Sequence, residues 1–295
     1  MNAARLVLRG RELRPSPERP VIAGIVNASP ESFSDGARVG GLEDQVARAL
    51  RMREDGADLI DVGGESGVTD RPAVDAAEEV ARVVPLVERL AAEDVTVSVD
   101  TWKADVARAA LEAGAAMIND VSGLREPALA EACAEHGAGL VVVHTRAEPK
   151  RKSFPAYADV VADVVAFLRE RMAEARARGV GEEQLVVDPG PDLAKLPAET
   201  VAVLRALPSI AAIGRPVLLA VSRKDFVGAL TGKPPDERLG GTLAAIGAGL
   251  DGGASILRVH EVAAARDFVA VRVALRGEAD VPRDLMLDPG LRRAV

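Results

Sequence analysis

The chain is short of almost everything that marks a secreted, metal-caged or nucleic-acid-binding protein. It has one cysteine, Cys133, so no intrachain disulfide can form and a reducing compartment fits. The setting of that cysteine, AEACAEHG, is helical and points to a buried, inert thiol rather than a nucleophile. Histidines number three, and H-x-x-x-H pairs, paired cysteines and Asp-rich loops are missing, which argues against a tight zinc or calcium cage. Aromatics make up 2% of the residues, so any core must be aliphatic and Ala-rich. There is no excess of positive charge: Lys and Arg total 37 against 45 Asp and Glu, a net charge of -8. That balance argues against a general binder of nucleic acid or anionic membranes. No run reaches the roughly 18–20 apolar residues needed to cross a bilayer, and MNAARLVLRGRELRPSPERP lacks the layout of a signal peptide. A soluble, cytoplasmic protein is expected, with no nucleic-acid and no membrane partner.

What is present is repetition. The 295 residues are 48% hydrophobic, enough for a sizeable core. Eight short apolar runs end in a polar group. They read VIAGIVN (Asn27), ADLIDVGGE (Asp61, Glu65), VTVSVD (Asp100), AAMIND (Asn119, Asp120), GLVVVH (His144), QLVVDPG (Asp188), PVLLAVSRK (Ser222, Lys224) and SILRVH (Arg258, His260). Each is too short for a core helix and is followed by a longer Ala-, Glu- and Arg-rich stretch. Buried parallel strands covered by helices on both faces have this pattern. The spacing predicts helices over 42–56, 74–92, 103–114, 126–137, 156–179, 198–213, 238–252 and 261–275. In 74–92, Val80, Val83, Val84, Val87 and Leu90 form an apolar stripe. Eight strand–helix units in about 255 residues match a (β/α)₈ TIM barrel. A doubly wound open sheet is the alternative, but it usually has fewer strands, and no G-x-G-x-x-G follows the first run.

ARLVLRGREL, ahead of the first core strand, reads as a hairpin closing the barrel bottom, and RPSPERP then blocks helix. No linker divides the chain. We expect one domain over 1–295, with its core at about 20–275 and an extension at 276–295. Long connections follow strands one, two and five, and the first, ASPESFSDGARVGG, reads as a lid over the top of the barrel.

Strand tips of a closed barrel converge on one cavity, so the polar groups are read together. Asp61, Asp100, Asn119 and Asp188 form a carboxylate-and-amide cluster, suited to a ligand edge with several N–H donors. Asp100 could instead cap the next helix. The second cluster is cationic. Arg258 and His260 flank Val259 and share a face, Lys224 follows strand seven, and phosphate sites of many barrels lie beside strands seven and eight. Arg223 could face solvent. His136 is a surface or packing residue, and the role of His144 is left open. A Mg²⁺ ion held mainly by substrate phosphate and water needs only one or two protein groups, and Asn27 is placed to be one.

These residues resemble a known family. GIVNASPESFSDG, DLIDVGGES, VSVDTWKADVARAALEAGA, INDVSG, VVDPGPDLAK, SRKDFVGAL and ILRVHEV are similar, in order from Gly24 to Val262, to the signature blocks of dihydropteroate synthase. The resemblance implies a pterin-binding barrel that joins 6-hydroxymethyl-7,8-dihydropterin pyrophosphate to p-aminobenzoate or a related amine and releases pyrophosphate, a step of folate biosynthesis. It implies that Asp100, Asn119, Asp188 and Lys224 hold the pterin, with Ser222 among the substrate-binding residues. Asn27, Arg258 and His260 hold the pyrophosphate with Mg²⁺, Asp61 supports the anion site, and Asp35 joins from the first loop. Lys224, Arg258, His260 and Asp100 are the expected catalytic residues, and a homodimer is the expected assembly.

Several positions depart from the family pattern. Where it reads G-G-E-S-T-R-P, this chain has GGESGVTDRP, so Gly67 and Val68 replace Thr and Arg, unless Arg71–Pro72 restores the Arg after an insertion. S-R-K-S becomes SRKD, which puts Asp225 near the expected benzoate carboxylate. Ala220 replaces a Gly near the pterin. F-G-F-G-K becomes PDLAK, with Leu193 in place of a Phe. The pattern resembles divergent actinobacterial paralogues with a different acceptor or no synthase activity. Two other readings are a methyltetrahydrofolate-dependent methyltransferase on the same barrel, which has little need for Lys224 plus Arg258 and His260, and a pterin binder without catalysis.

Overall fold

The structure is a computed structural model that describes residues 4–28, 41–67, 69 and 72–291. Asp35, Val68, Arg71 and nearly all of the expected lid lie outside the described residues.

The chain opens with an antiparallel hairpin, β1 (Leu6–Leu8) and β2 (Arg11–Leu13). Its two-residue turn, Arg9–Gly10, has φ of 48° and 83°. Both values lie in the left-handed region that tight hairpin turns require, and glycine enters it without strain.

Eight parallel strands follow: β3 (Val21–Asn27), β4 (Leu59–Gly63), β5 (Val97–Asp100), β6 (Met117–Asp120), β7 (Gly139–Val143), β8 (Leu185–Asp188), β9 (Leu218–Leu219) and β10 (Ile256–Val259). They pair in the order β8-β7-β6-β5-β4-β3-β10-β9. A parallel bridge from Val187 to Val217 joins the two ends and closes the barrel. The seventh run, PVLLAVSRK, was expected to be a strand like the others, yet only Leu218 and Leu219 pair regularly. Pro216 at its start has no N–H to give to a ladder, although its carbonyl accepts from Val187 N at 3.0 Å.

The helices are α1 (Leu42–Glu54), α2 (Ala76–Ala92), α3 (Ala104–Glu112), α4 (Ala128–Glu135), α5 (Val160–Ala177), α6 (Pro197–Arg205), α7 (Leu207–Ala211), α8 (Asp225–Thr231), α9 (Leu239–Asp251) and α10 (Val262–Leu275). Two differences from the spacing stand out. The helix expected over 198–213 breaks between α6 and α7, because Pro208 cannot donate back into the preceding turn. The short helix α8, ending at the left-handed Gly232, was not foreseen, since seven residues are too few to show a period. The buried face of α2 is Glu79, Val83, Leu86, Val87 and Leu90. It is rotated from the expected stripe, with Glu79 turned inward and paired with the half-buried Lys103.

Alternation along the strands splits the apolar residues into two cores. Ile22, Ile60, Val97, Val99, Ile118, Leu140, Val142, Leu219 and Leu257 face outward and pack under the helices. Val21, Ala23, Leu59, Met117, Val141, Val186, Leu218 and Ile256 face the barrel axis. Leu6 and Leu8 of the hairpin join this inner group and are fully buried, so the hairpin plugs the bottom. Gly139 makes the room: a Cβ there would lie 2.3 Å from Leu8 Cδ2. Single-residue register then carries the same inward face up to the strand tips, where it turns polar.

Candidate active site

The inward positions above the apolar layer are Asn27 on β3, Asp61 on β4, Asp100 on β5, Asn119 on β6, Asp188 on β8 and Arg258 on β10. Register places Asp100 beside Asn119 and Gly63, and Arg258 beside Ala23. Their side chains meet across the barrel. Arg258 Nε donates to Asp61 Oδ2 at 2.5 Å and Nη2 donates to Asp100 Oδ2 at 2.8 Å. Asn119 Nδ2 donates to Asp61 Oδ2 at 3.3 Å. Asp100 therefore faces the cavity and does not cap α3, whose N-cap is Lys103.

Arg258 is held by carboxylates at the pterin-like end, between the two clusters read from the sequence. Its own ionised form is strongly favoured by these neighbours, Asp61 first, against the cost of burial. Burial pushes Asp100 above the usual carboxylate range, with Arg258 opposing. Burial likewise pushes Asp188 up to about 6, offset by the backbone N–H of Gly190, which donates to its Oδ1 at 2.7 Å, and by Lys224. Two acceptor atoms, Asp61 Oδ1 and Asn119 Oδ1, are buried with no partner. Unpaired buried acceptors are costly, and N–H groups of a ligand would relieve them.

Lys224 is the N-cap residue of α8, and among the described residues its ammonium has no hydrogen-bond partner. Burial lowers its pKa, opposed by Asp192, Asp188 and Asp100. Next to it, the His260 backbone N–H donates to the Ser222 hydroxyl at 3.3 Å. That hydroxyl lies 2.9 Å from His260 Nδ1, which fixes the orientation of the ring. Burial and the surrounding cations Arg223, Arg258, Arg48 and Lys224 push His260 down to about 3. His260 is thus a neutral N–H donor rather than a cation. Arg223 does not face open solvent alone; it pairs with Glu261.

Asn27 ends β3 beside Gly63, its Oδ1 3.5 Å from where a Cβ on that glycine would sit. No group of three or more His, Cys, Asp or Glu that could hold a metal occurs among the described residues. One carbonyl oxygen suits a hard cation whose other ligands come from a substrate and water, not a resident cage. No helix of the described residues is long and apolar enough to cross a membrane.

The sequence reading missed two buried networks around the rim. Lys195 is 1% exposed. Its ammonium lies 2.8 Å from His144 Nδ1 and donates to the carbonyls of Gly190 at 2.9 Å and Leu193 at 3.1 Å. His144 Nε2 is 2.9 Å from Asp163 Oδ2, and Arg146 also pairs with Asp163. Burial lowers Lys195 to about 7 and His144 to about 4, so the ring is a neutral link between lysine and carboxylate. This gives His144, a strand-tip residue of open role, a bracing job. The second network joins Lys103 to Glu65 at 2.9 Å and Glu79 at 2.5 Å, with Lys150 on Glu65 at 3.3 Å. Neither partner set is adjacent in sequence, so only the last residue of the F-G-F-G-K-like block hinted at Lys195. His136 closes α4, its Nδ1 3.0 Å from Ala132 O. Cys133 is fully buried and its thiol is pushed up by burial.

Fold and site together define a (β/α)₈ barrel whose strand tips gather unpartnered buried acceptors with lysine, arginine and histidine donors. The pterin binding enzyme family matches residues 23–260, and the chain belongs to it, within the dihydropteroate synthases. It is 40% identical to the dihydropteroate synthase of Bacillus subtilis, covering 83% of this chain and 85% of that one. It is also 41% identical to the inactive dihydropteroate synthase 2 of Mycobacterium leprae, covering 88% and 92%. Among solved structures, Burkholderia cenocepacia dihydropteroate synthase complexed with 7,8-dihydropteroate superposes with a TM-score of 0.85 at 40% identity, covering 94% and 98%.

Proposed function

We propose that this chain condenses 6-hydroxymethyl-7,8-dihydropterin pyrophosphate with p-aminobenzoate or a related amine, releasing pyrophosphate, within one pterin-binding barrel domain over 1–295. The observation that carries this is the pair of orphaned acceptors, Asp61 Oδ1 and Asn119 Oδ1, at strand tips shared with Asp188 and Lys224. A 2-aminopyrimidinone edge has the N–H donors these groups lack. Asp188 takes the amino and ring N–H groups, and Lys224 donates to the ring oxygen and nitrogen. Asp100 and Asn119 complete the pterin site. Asp61 acts through Arg258, and Asp35 completes the set of substrate-binding residues.

The chemistry asks for no protein nucleophile. Donors at the anion end stabilise charge as it develops on the departing pyrophosphate. The C–O bond breaks with its electron pair leaving on phosphate, and the electron-rich dihydropterin spreads the methylene cation. The amine nitrogen then forms the new C–N bond and loses a proton to water. His260 supplies a neutral ring N–H, its ring oriented by Ser222, and Arg258 supplies fixed positive charge. When bound, Mg²⁺ neutralises phosphate oxygens, and Asn27 is the residue that fits it. The expected assembly is a homodimer in the cytoplasm.

A second reading keeps pterin binding without the synthase step. The likeness to the inactive mycobacterial relative supports it, as do Gly67, Ala220, Leu193 and Asp225. One of these is milder than it reads: Asp225 is exposed and ion-paired with Arg238 at 3.0 Å. The deciding experiment mixes the protein with pterin pyrophosphate, Mg²⁺ and p-aminobenzoate, following pyrophosphate release and product mass. Product at the mass of dihydropteroate, lost in Lys224→Ala, supports the synthase. Tight pterin binding with no release for any arylamine rejects it in favour of the second reading.

A further inference from the structure

The segment between β8 and α6 holds an unusual backbone. Gly190, Asp192 and Ala194 have φ of 63°, 62° and 54°, three left-handed residues in five. Glycine accepts this region freely, while L-residues enter it at a cost that is smaller for Asp than for Ala. At Gly190 only glycine fits, since a Cβ would lie 2.0 Å from His144 O. Against the F-G-F-G-K pattern, Asp192 and Ala194 fall where glycines are expected. The chain therefore keeps the glycine-type path with two non-glycine residues. That conflict of local preference and fold is a reason to look for a role.

Asp192 has one. Thr200 Oγ1 accepts from the Asp192 backbone N–H at 3.1 Å and donates to its Oδ1 at 3.1 Å. Asp192 Oδ2 accepts from the backbone N–H of Phe226 at 3.1 Å. Phe226 is in the first turn of α8, two residues past Lys224. The carboxylate thus ties one top-face loop to the next at the base of the lysine that the proposed reaction uses.

We propose that Asp192 is a positioning residue for Lys224, fastening the first turn of α8 and adding negative charge to the surroundings of Lys224. This rests on the reading of Lys224 as a pterin ligand. The charged groups that face Lys224 are Asp192 and Asp188 from the β8 side, Asp100 on β5 and Arg258 on β10, with Asp192 the strongest opposition to the effect of burial. Lys195 and His260 also feel the Lys224 charge. Burial lowers the pKa of Lys224; losing a negative neighbour lowers it further, so the ammonium is lost at lower pH. A glycine at position 192 would relax the backbone but give neither the hydrogen bonds nor the charge.

The test compares wild type, Asp192→Asn and Asp192→Gly. The reactivity of each lysine with trace acetic anhydride is measured across pH by mass spectrometry, with the exposed Lys233 as internal reference, alongside thermal unfolding and turnover. Asparagine tolerates the left-handed backbone, so the Asn variant should unfold near the wild-type temperature. Its Lys224 midpoint should fall by about 1 pH unit, and so should the alkaline limb of kcat/KM for pterin pyrophosphate. The Gly variant should show the same drop in midpoint. An unchanged Lys224 midpoint in the Asn variant overturns the proposal and leaves Asp192 as a brace only. The labelling needs no substrate. A wild type that fails to turn over therefore counts against the synthase reading, while the midpoints still decide this one.

Discussion

The two halves of the barrel interior are built from the same strands and the same inward positions, yet they share almost no chemistry. Below, Val21, Ala23, Leu59, Val141, Leu218 and Ile256 close around Leu6 and Leu8, with the Ser98 hydroxyl the one buried polar side chain among the described residues of that face left without a partner. Above, one or two strand positions further, Asp61, Asp100, Asn119, Asp188 and Arg258 fill the same space. The lower half gains stability by removing apolar surface from water. The upper half holds three carboxylates against Arg258 and Lys224, and it leaves acceptors without partners. Stability is given up where a ligand is to be held, and recovered a few ångströms below.

That contrast can be broken in order of expected effect. Arg258→Ala removes the cation between Asp61 and Asp100. Turnover should fall by about 1,000-fold, the loss reported for single groups that stabilise developing charge. Thermal unfolding should show a loss of about 3 kcal/mol, because two buried carboxylates lose their partner. Unchanged stability would mean that the upper half is not electrostatically strained. Leu8→Ala should cost about 3 kcal/mol in chemical denaturation while kcat/KM stays at the wild-type value, since Leu8 packs in the lower, apolar group. A matching loss of catalysis would dissolve the division between the halves.

The pH dependence sharpens the upper half. The Asp188 carboxylate must be ionised to accept ligand N–H groups, and its folded pKa lies at about 6. Pterin affinity measured by calorimetry should therefore be full above pH 7 and fall about tenfold per unit as pH drops below 6. The Asn variant at 188 should bind weakly with no such dependence. Smallest of all, Asp225→Ala at the exposed rim should change stability by about 0.5 kcal/mol or less. A large gain in p-aminobenzoate affinity in that variant would show that Asp225 screens the acceptor site despite its pairing with Arg238.

Much of this contrast was legible beforehand. The run VIAGIVN is β3 over its full length, and SILRVH puts Arg258 on the inner face because a strand alternates, while His260 lies one residue past the end of β10. The parts that escaped have identifiable reasons. Helix α8 is too short for a period. The break between α6 and α7 turns on Pro208, which a repeat count over 198–213 passes across. Lys195 and His144 are 51 residues apart, and Lys103 and Glu65 are 38 apart. The charge on Arg258 was legible, but its clamping by Asp61 and Asp100 was not, because the partners come from strands β4, β5 and β10.

By itself, the sequence determined the barrel, the inward face of each strand and the set of polar tips, because period-two alternation and apolar run length are local properties of the chain. Only the tertiary structure decided which tips pair. Arg258 became a bridge between Asp61 and Asp100, His260 a neutral donor and Asp192 a tie to α8. Hydrogen bonds and pKa values depend on burial and on neighbours across the barrel, and closure of eight strands is what brings those neighbours together.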